Sequence, residues 1–345
     1  MKIVLAPDSF KECLTAHEVT EAMAESALEL FPEAKVVRLP LADGGEGSLE
    51  VLTKVLNAEI REITVPDPLG RPVIASYGMT GQTAIIEIAQ ACGLSRLHPS
   101  ERNPIFASSR GVGELLMAAY TAGCRHFIIG LGGSATCDGG AGMLEVPGIK
   151  DLKGISVELL CDVDAPFIGP RGAARVFAPQ KGASAQDIEV LESRMVTLAK
   201  LMQLETGVDI ANLPGAGAAG GLGGAFVAYL NATVVNGVDR IMALTGFDAA
   251  CAGASLVITG EGKSDEQTLM GKVPVGVLKR AKGAPVALLS GRIENRDLLE
   301  QAGFSPIVEV SPRHLPLSLA MNPEIAISNL QKAVKEAFRF NRFGS

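Results

Sequence analysis

A glycine-rich stretch, Gly130–Gly142 (GLGGSATCDGGAG), has the residue types that most directly suggest chemistry in this sequence. It follows the short apolar run 126–129, which is typical of a buried strand. Glycine lets the backbone turn freely and approach a ligand closely, and a row of backbone N–H groups in such a turn can bind an anion. Asp138 is a single carboxylate inside this loop. An acid beside an anion site usually requires a cation between them, most often Mg²⁺ with a phosphate. The alternative is a tight strand-to-helix turn without a ligand.

Carboxylates and cations recur in the loops that follow other apolar, strand-like runs. A single such carboxylate is commonly the N-cap of the next helix, but their recurrence at one edge of a predicted sheet points to a shared site. Acids for a metal and bases for phosphate oxygens are the groups that phosphoryl transfer requires. For each base, the alternative is a solvated surface charge, above all for Lys272 and Arg292. The acids are Asp8, Asp43, Glu46, Asp138, Asp162, Asp164, Glu261 and Asp265, and the bases are Lys11, Arg71, Lys181, Lys263, Lys272 and Arg292.

Two nucleotide-binding motifs are incomplete. Residues 262–264 resemble the end of a Walker A loop, but the first glycine would have to stand at position 257, which is Val, so no P-loop is present. Gly215, Gly217 and Gly220 match the spacing of a dinucleotide-binding loop. They follow Asn-Leu-Pro and not a convincing strand, so close helix packing is the favoured role of these glycines.

The order of predicted elements indicates an α/β protein with two domains. Short apolar runs separated by helices predict one doubly wound, mostly parallel sheet built from both chain ends, because right-handed crossovers place such strands side by side. If the first and third strands are neighbours, Asp8 and Asp265 face one crevice. The five predicted strands are Lys2–Pro7, Lys35–Leu41, Ser255–Thr259, Pro285–Ser290 and Ile307–Val310.

The middle of the chain predicts a different pattern. Residues 59–89 read as three strands joined by turns, which indicates an antiparallel meander. We also predict a strand at Arg171–Phe177 and a helix at Val238–Ala252. We therefore expect residues 1–66 and 238–345 to form a Rossmann- or flavodoxin-like domain and residues 67–237 to form an inserted mixed α/β domain. The active site is expected in the cleft between the two domains.

Composition excludes several classes of protein. The chain of 345 residues is 47% hydrophobic, carries a formal net charge of −7 and has no basic block, which argues against nucleic-acid binding. No apolar run is long enough to span a membrane. The segment MKIVLAPDSF is broken by Pro-Asp, so we expect no signal peptide. Six cysteines without C-x-x-C spacing favour reduced thiols and a cytoplasmic location.

Seven motifs, in order and in register, resemble those of the type 1 glycerate kinases. The resemblance implies ATP- and Mg²⁺-dependent phosphorylation of D-glycerate, an organic acid, by a transferase with two α/β domains. The segment between Gly142 and Leu159 is shorter than in other members, and Cys137 stands where Asn or Val is expected. The motifs are APDSFK (6–11), ADGGEG (42–47), GGSATCDGG (132–140), CDVD (161–164), PQKGA (179–183), the glycines of 215–221 and TGEGKSD (259–265).

The roles of individual residues are our own interpretation of this pattern. One of five aspartates is expected to accept the proton of the glycerate hydroxyl, and one or two are expected to hold Mg²⁺. A nicotinamide-dependent dehydrogenase of a small hydroxy acid and a non-catalytic small-acid sensor remain the alternatives. We predict catalytic roles for Asp8, Asp43, Asp138, Asp162 and Asp265, with Asp43, Asp138 and Asp162 as metal ligands. Substrate binding is predicted for Ser9, Lys11, Arg71 and Lys181, and nucleotide binding for Gly132, Gly133, Ser134, Ala135, Thr136, Gly217, Gly220, Glu261 and Lys263.

Overall fold

The structure, a computed structural model, describes residues 1–340, which fold into two compact units. Residues Met1–Asp43 and those from Val238 onward form unit 1, and Gly44–Gly237 form unit 2. Within the described residues, the strands are β1 Lys2–Leu5, β2 Lys35–Arg38, β3 Glu59–Pro66, β4 Pro72–Thr80, β5 Thr83–Glu87, β6 His126–Gly130, β7 Ser156–Leu160, β8 Thr233–Val235, β9 Leu256–Ser264, β10 Val286–Ile293 and β11 Ile307–Glu309.

The helices of the same residues range from single turns to more than five turns. They are α1 Ala16–Leu30, α2 Ser48–Val55, α3 Ala89–Cys92, α4 Arg110–Thr121, α5 Ala141–Leu144, α6 Ala173–Phe177, α7 Ala185–Thr206, α8 Leu222–Leu230, α9 Gly237–Thr245, α10 Phe247–Cys251, α11 Val273–Arg280, α12 Arg296–Ala302, α13 Leu317–Ala320 and α14 Pro323–Phe340.

Unit 1 is a doubly wound α/β fold around a five-stranded parallel sheet. The strand order is β11-β10-β9-β1-β2, and every pair is parallel. Consecutive residues of the central strands, such as Val4 and Leu5, are buried, and since successive side chains point to opposite faces, both faces of the sheet are covered. The chain order reverses between β1 and β9, which is the point where open α/β sheets bind ligands. The predicted parallel sheet built from both chain ends is confirmed.

Helix α1 shows how local sequence sets this fold. Thr15 Oγ1 accepts a hydrogen bond from Glu18 N, and the Glu18 carboxylate accepts one from Thr15 N, which completes the predicted capping box. The helix buries Val19, Met23 and Ala27 against the same core as α14. This apolar face, together with the cap, fixes the helix on the sheet immediately after the β1 loop.

Unit 2 contains a six-stranded mixed sheet in the order β3-β4-β5-β6-β7-β8. The first three strands form an antiparallel meander, and β5 to β8 are parallel. The predicted meander is confirmed. Because β5 to β8 are parallel, their carboxyl ends lie at one edge of the sheet, and the glycine-rich loop follows β6 at that edge.

Four expectations differ from the structure. The compact units divide after Asp43 and not near residue 66, because β3 pairs with β4 and α2 packs on that sheet. Residues 171–177 form helix α6 and not a strand, and the sheet position next to β7 is taken by β8. The helix expected at 238–252 is interrupted at Gly246. This residue has a left-handed φ of +69° and is the N-cap of a second helix, α10. Strand β9 runs on to Ser264, because it keeps pairing with β10 beyond the expected end.

Candidate active site

The loop after β1 lies against the carboxyl end of β9, at the point where the sheet order reverses. Asp8 N donates to Gly260 O at 2.9 Å, and Leu41 N donates to Pro7 O at 2.9 Å, so the loops after β1, β2 and β9 run side by side. Gly262 lies against Phe10 and Lys11, where a side chain would touch their backbone. This packing brings Asp8 next to residues 260–262.

Asp8 is a buried carboxylate with charged neighbours. Its side chain accepts a hydrogen bond from Ser9 N at 2.7 Å. Burial raises the pKa of Asp8 well above its usual value, the negative charges of Asp43 and Glu261 add to the rise, and the ammonium of Lys11 opposes it. Lys11 Nζ lies 4.0 Å from Asp43 Oδ2. A carboxylate with a raised pKa beside a cation can accept a proton from a bound hydroxyl group.

The hydroxyl group of Ser9 lies next to this carboxylate in the chain. Its Oγ is buried and has no hydrogen-bond partner among residues 1–340. A buried hydroxyl without a hydrogen-bond partner destabilises the folded state, so such a group usually binds a ligand or an ordered water. The predicted substrate role of Ser9 is compatible with this position.

Glu261 is held by three side chains at the carboxyl end of β9. Its Oε1 accepts hydrogen bonds from Ser264 Oγ at 2.9 Å and Thr268 Oγ1 at 2.6 Å, and Lys272 Nζ lies 3.6 Å from Oε2. Burial raises the pKa of Glu261, and Lys272 opposes the rise. Lys272 is one of the bases expected in these loops, and its contact with Glu261 differs from the solvated surface charge that was the alternative for it.

Lys263 lies in the extended part of β9, and Asp265 follows the last residue of that strand. Asp265 Oδ1 accepts a hydrogen bond from Gln267 N at 2.9 Å and caps the turn Glu266–Met270. Lys263 Nζ lies 3.0 Å from Glu294 Oε2 and 3.6 Å from Asp265 Oδ2. On β9 the acid beside Asp8 is Glu261, whose charge contributes to the raised pKa of Asp8. The expectation that Asp265 faces the same crevice stays a prediction.

In unit 2, Asp138 ties the glycine-rich loop to the start of α4. Its Oδ2 accepts hydrogen bonds from Ser109 N and Ser109 Oγ, both at 2.8 Å, and from Gly142 N at 3.1 Å, while Oδ1 accepts one from Gly140 N at 3.0 Å. Both oxygens are therefore used inside the unit. This arrangement favours a structural role for Asp138 over the predicted metal role.

Lys181 lies beneath the same loop. Its side chain is 2% exposed, and its Nζ donates to Ser134 Oγ and to Thr136 O, both at 2.7 Å. The loop is fixed from its other side as well, since Leu94 N donates to Gly133 O at 2.8 Å. Lys181 thus holds the backbone of Gly132–Thr136, which is a different task from the direct substrate contact predicted for it.

The remaining predicted residues of unit 2 are placed by local contacts. Arg71 forms ion pairs with Asp67 at 2.6 Å and Glu101 at 2.8 Å, next to the turn between β3 and β4. Asp162 accepts a hydrogen bond from Gly237 N at 2.8 Å. None of these contacts tests a substrate, metal or nucleotide role.

Gly217 and Gly220 pack against other backbone segments. Gly217 N donates to Ala165 O at 2.9 Å, and Gly139 N donates to Gly220 O at 3.0 Å. Gly220 has a φ of +68°, and a side chain there would collide with Thr136 O. No strand of the described chain leads into Gly215, so the dinucleotide-loop pattern has no strand–turn–helix context and the close-packing role is favoured.

The predicted site residues thus fall into two groups. Unit 1 brings together Asp8, Ser9, Lys11, Asp43 and Glu261 at the switch point of its parallel sheet. Unit 2 places the glycine-rich loop at the carboxyl end of β6, with Asp138 and Lys181 supporting it. Within residues 1–340, no helix is long and apolar enough to cross a membrane.

The positions of the carboxylates decide whether this site could bind a divalent cation. No group of three or more His, Cys, Asp or Glu side chains among the described residues could hold a metal ion. Mg²⁺ is usually held by one or two carboxylates together with substrate phosphates, and does not need an all-protein cage. The neighbouring carboxylates Asp8 and Asp43 fit that requirement.

Comparisons with known proteins agree with this arrangement. The family model described as "Glycerate kinase family" matches residues 3–153 and 147–342. A glycerate kinase of Bacillus subtilis (strain 168) is 40% identical over 351 aligned residues, covering 92% of each chain, and a glycerate 2-kinase of Escherichia coli (strain K12) is 38% identical, covering 90% of each. A crystal structure described as glycerate kinase 2 from Salmonella typhimurium LT2 has a TM-score of 0.83 and 38% identity, covering 98% of each chain. With the family model matching nearly its whole length, this chain belongs to the glycerate kinase family.

Proposed function

We propose that this chain transfers the terminal phosphoryl group of ATP to a hydroxyl group of glycerate. Family membership supports this reaction, and the observation that carries it on the structure is the buried Asp8 beside Lys11 and Asp43. Phosphoryl transfer is catalysed mainly by positioning and by electrostatic stabilisation. It requires a proton acceptor for the attacking hydroxyl and cations for the anionic groups.

Asp8 is proposed as the proton acceptor. A carboxylate whose pKa is raised by burial is a stronger base than an exposed one, and its position at the switch point of the sheet places it where a ligand can reach it. Ser9 Oγ, which has no partner among residues 1–340, would bind a substrate oxygen next to it. Lys11 would attract the glycerate carboxylate, because its exposed ammonium lies at the edge of the same group.

Mg²⁺ is proposed as the cofactor, with Asp43 as its protein ligand. When bound, the ion would shield the negative charge of the ATP phosphates. Asp138 accepts hydrogen bonds on both carboxylate oxygens from groups of unit 2, which favours Asp43 over it. The metal role of Asp162 stays a prediction. Asp43 also lies beside the other groups of the proposed site, since its Oδ2 is 4.0 Å from Lys11 Nζ.

The nucleotide is proposed to contact the glycine-rich loop Gly132–Thr136 through backbone N–H groups. The loop lies at the carboxyl end of parallel strand β6, where α/β sheets bind ligands. Roles of Gly217, Gly220, Glu261, Lys263 and Asp265 towards nucleotide or substrate stay predictions. The same holds for a site in a cleft between the units and for a cytoplasmic location.

The reaction is tested by incubating the purified chain with D-glycerate and either ATP–Mg²⁺ or NAD(P), and measuring ADP and NAD(P)H. We expect ADP in proportion to glycerate consumed, and no ADP in excess EDTA. NAD(P)H formation would indicate a dehydrogenase, and binding of glycerate without either product would indicate a sensor. Full activity in EDTA would contradict the Mg²⁺ proposal alone.

A further inference from the structure

A fully buried ammonium group lies under the glycine-rich loop without a paired carboxylate. Lys181 is 2% exposed, and its two hydrogen bonds go to a hydroxyl oxygen and a carbonyl oxygen. Among residues 1–340, no carboxylate oxygen lies within 4.0 Å of its Nζ. Burying a charge is costly unless an opposite charge or strong hydrogen bonds compensate.

The groups around Lys181 compensate this cost only in part. Burial lowers the pKa of Lys181, while the nearby thiols Cys137 and Cys92 and the carboxylate of Asp138 oppose the shift. Burial raises the pKa of Cys137 to about 11 and that of Cys92 to about 12, so both thiols are neutral at pH 7. Asp138 already accepts four hydrogen bonds elsewhere in the unit. Within residues 1–340, the ammonium therefore has no carboxylate in direct contact with it.

The loop that Lys181 contacts has hydrogen-bond donors without an acceptor among residues 1–340. The backbone N–H groups of Gly133 and Ser134 donate to no acceptor within the described residues. Ser134 Oγ accepts from Lys181, which leaves the hydroxyl proton of Ser134 without an acceptor in the same part of the chain. Gly133 is exposed and has a left-handed φ of +75°, the backbone geometry of an anion-binding nest.

The loop is rigid enough to present these donors. Ala135 N donates to Cys92 O at 2.7 Å, and Leu94 N donates to Gly133 O at 2.8 Å, so residues on both sides of Ser134 are fixed. Three donors, namely two N–H groups and one O–H group, have no acceptor among residues 1–340, and the ammonium of Lys181 contacts the oxygen of the O–H group. This combination suits an anion with several acceptor oxygens.

We propose that Gly133 and Ser134 bind a phosphoryl group of the nucleotide, and that Lys181 supplies the counter-charge through Ser134. A phosphoryl group is favoured over a carboxylate because it carries more charge and offers three acceptor oxygens to three donors. Lys181 is a positioning residue here, since it contacts Ser134 and not the anion. Only the choice of a nucleotide as the carrier of the phosphoryl group rests on the proposed function.

The test compares Lys181→Met with Lys150→Met in the full chain. Lys150 is an exposed lysine of the same unit that pairs with Glu205, so its replacement controls for loss of one positive charge. Affinities for inorganic pyrophosphate and ADP are measured by calorimetry without glycerate. We expect Lys181→Met to weaken both by about 10-fold to 100-fold, as for loss of a charge-assisted hydrogen bond. Lys150→Met is expected to change neither, and only Lys181→Met should raise the KM for ATP while leaving that for glycerate unchanged.

Ser134→Ala keeps the test decisive if Lys181→Met does not fold. This variant leaves the ammonium in place and removes the hydroxyl donor, and it should also weaken pyrophosphate binding. Wild-type affinity for pyrophosphate in folded Lys181→Met, or in Ser134→Ala, would overturn the proposal. An equal rise in both KM values would assign Lys181 a purely structural role, and a rise for glycerate alone would place the carboxylate at this loop. A chain that binds pyrophosphate but forms no ADP with glycerate would contradict the proposed function and leave this site intact.

Discussion

At the scale of single residues, the environment of a carboxylate decides its role. Asp8 and Asp138 both follow strands at the carboxyl edge of a sheet, and the sequence gives them equal standing. In the structure, Asp138 accepts four hydrogen bonds from Ser109, Gly140 and Gly142, whereas Asp8 is buried beside Asp43 and Lys11. Sequence spacing could not predict this difference, because Ser109 is distant from Asp138 in the chain and meets it only through the packing of α4.

Replacement of Asp8 should make unit 1 more stable at neutral pH. The folded pKa of Asp8 lies above its ordinary value, so its contribution to stability is present below the unfolded pKa and is lost as pH rises through the folded pKa. Asp8→Asn removes this buried charge and can keep the hydrogen bond from Ser9 N. We expect a higher free energy of unfolding than wild type at pH 8 and a smaller difference at pH 4, measured by urea denaturation.

The control for this experiment is Asp164→Asn, which changes an exposed carboxylate. It should leave the unfolding curve unchanged at both pH values. A loss of stability in Asp8→Asn at pH 8 would show that ion pairing, and not burial, dominates at Asp8.

Replacement of Lys11 should affect one substrate more than the other. A cation that binds the glycerate carboxylate contributes mainly to binding, so Lys11→Ala is expected to raise the KM for glycerate by about 10-fold to 100-fold and that for ATP much less. Lys54→Ala, which removes an exposed lysine paired with Glu50 on α2, serves as the control. The two KM values are measured by steady-state kinetics with each substrate varied in turn. An equal rise in both would show that Lys11 does not bind the glycerate carboxylate.

At the scale of elements, the parallel sheet of unit 1 followed from the sequence because its strands are continuous apolar runs between helices. The length of β9 did not, since its last residues, Lys263 and Ser264, are polar and become strand only by pairing with Arg292 and Ile293 of β10. This extension places Asp265 at the end of the strand, where it caps the turn Glu266–Met270. The burial of Lys181 could not be predicted from the sequence either, because a lysine at the end of a PQK turn is typical of a surface charge.

The start of α2 should respond to pH through Glu87. This buried residue ends β5, and its carboxylate accepts a hydrogen bond from Ser48 N at 3.2 Å. Burial raises the pKa of Glu87 from 4.5 to about 7. The stability linked to this group is present below pH 4.5 and is lost as pH rises through 7. Glu87→Gln should therefore gain stability relative to wild type between pH 5 and pH 8, by up to ~3 kcal/mol.

Thermal or urea unfolding of both proteins at several pH values measures this difference. Glu50→Gln, which alters a partly buried acid of the same helix, is the matched control and should show no such trend. A gap between Glu87→Gln and wild type that stays constant from pH 5 to pH 8 would exclude titration of Glu87 in this range.

The contact between Gly220 and the glycine-rich loop can be separated from backbone strain. Gly220 and Gly207 both have left-handed φ values, +68° and +77°, but only a side chain at Gly220 would meet another backbone segment, at Thr136 O. Gly207→Ala should cost about 1–2 kcal/mol from φ strain alone. Gly220→Ala should cost more and also weaken nucleotide binding, because Thr136 must move. Equal losses of stability, with unchanged affinity for ADP, would contradict a role of this contact in shaping the loop.

At the scale of the whole molecule, the family motifs are spread over both compact units. Unit 1 carries the carboxylate group of Asp8 and Asp43, and unit 2 carries the glycine-rich loop and Lys181. The family model matches the chain in two segments that overlap at residues 147–153, within the stretch expected from the sequence to be shorter than in relatives. The division after Asp43 could not be predicted, because the ADGGEG motif at 42–47 spans it and local sequence does not show on which sheet α2 packs.

The most direct test of the central claim is phosphorus NMR of reactions that contain ATP, Mg²⁺ and D-glycerate, with wild type and Asp8→Asn compared. We predict that wild type forms ADP and a phosphate monoester of glycerate in equal amounts. Asp8→Asn, folded as judged by its unfolding transition, should form the ester about 10²-fold to 10⁴-fold more slowly, which is the typical contribution of a positioned proton acceptor. Formation of the ester at the wild-type rate by Asp8→Asn, or no ester from wild type, would contradict the account.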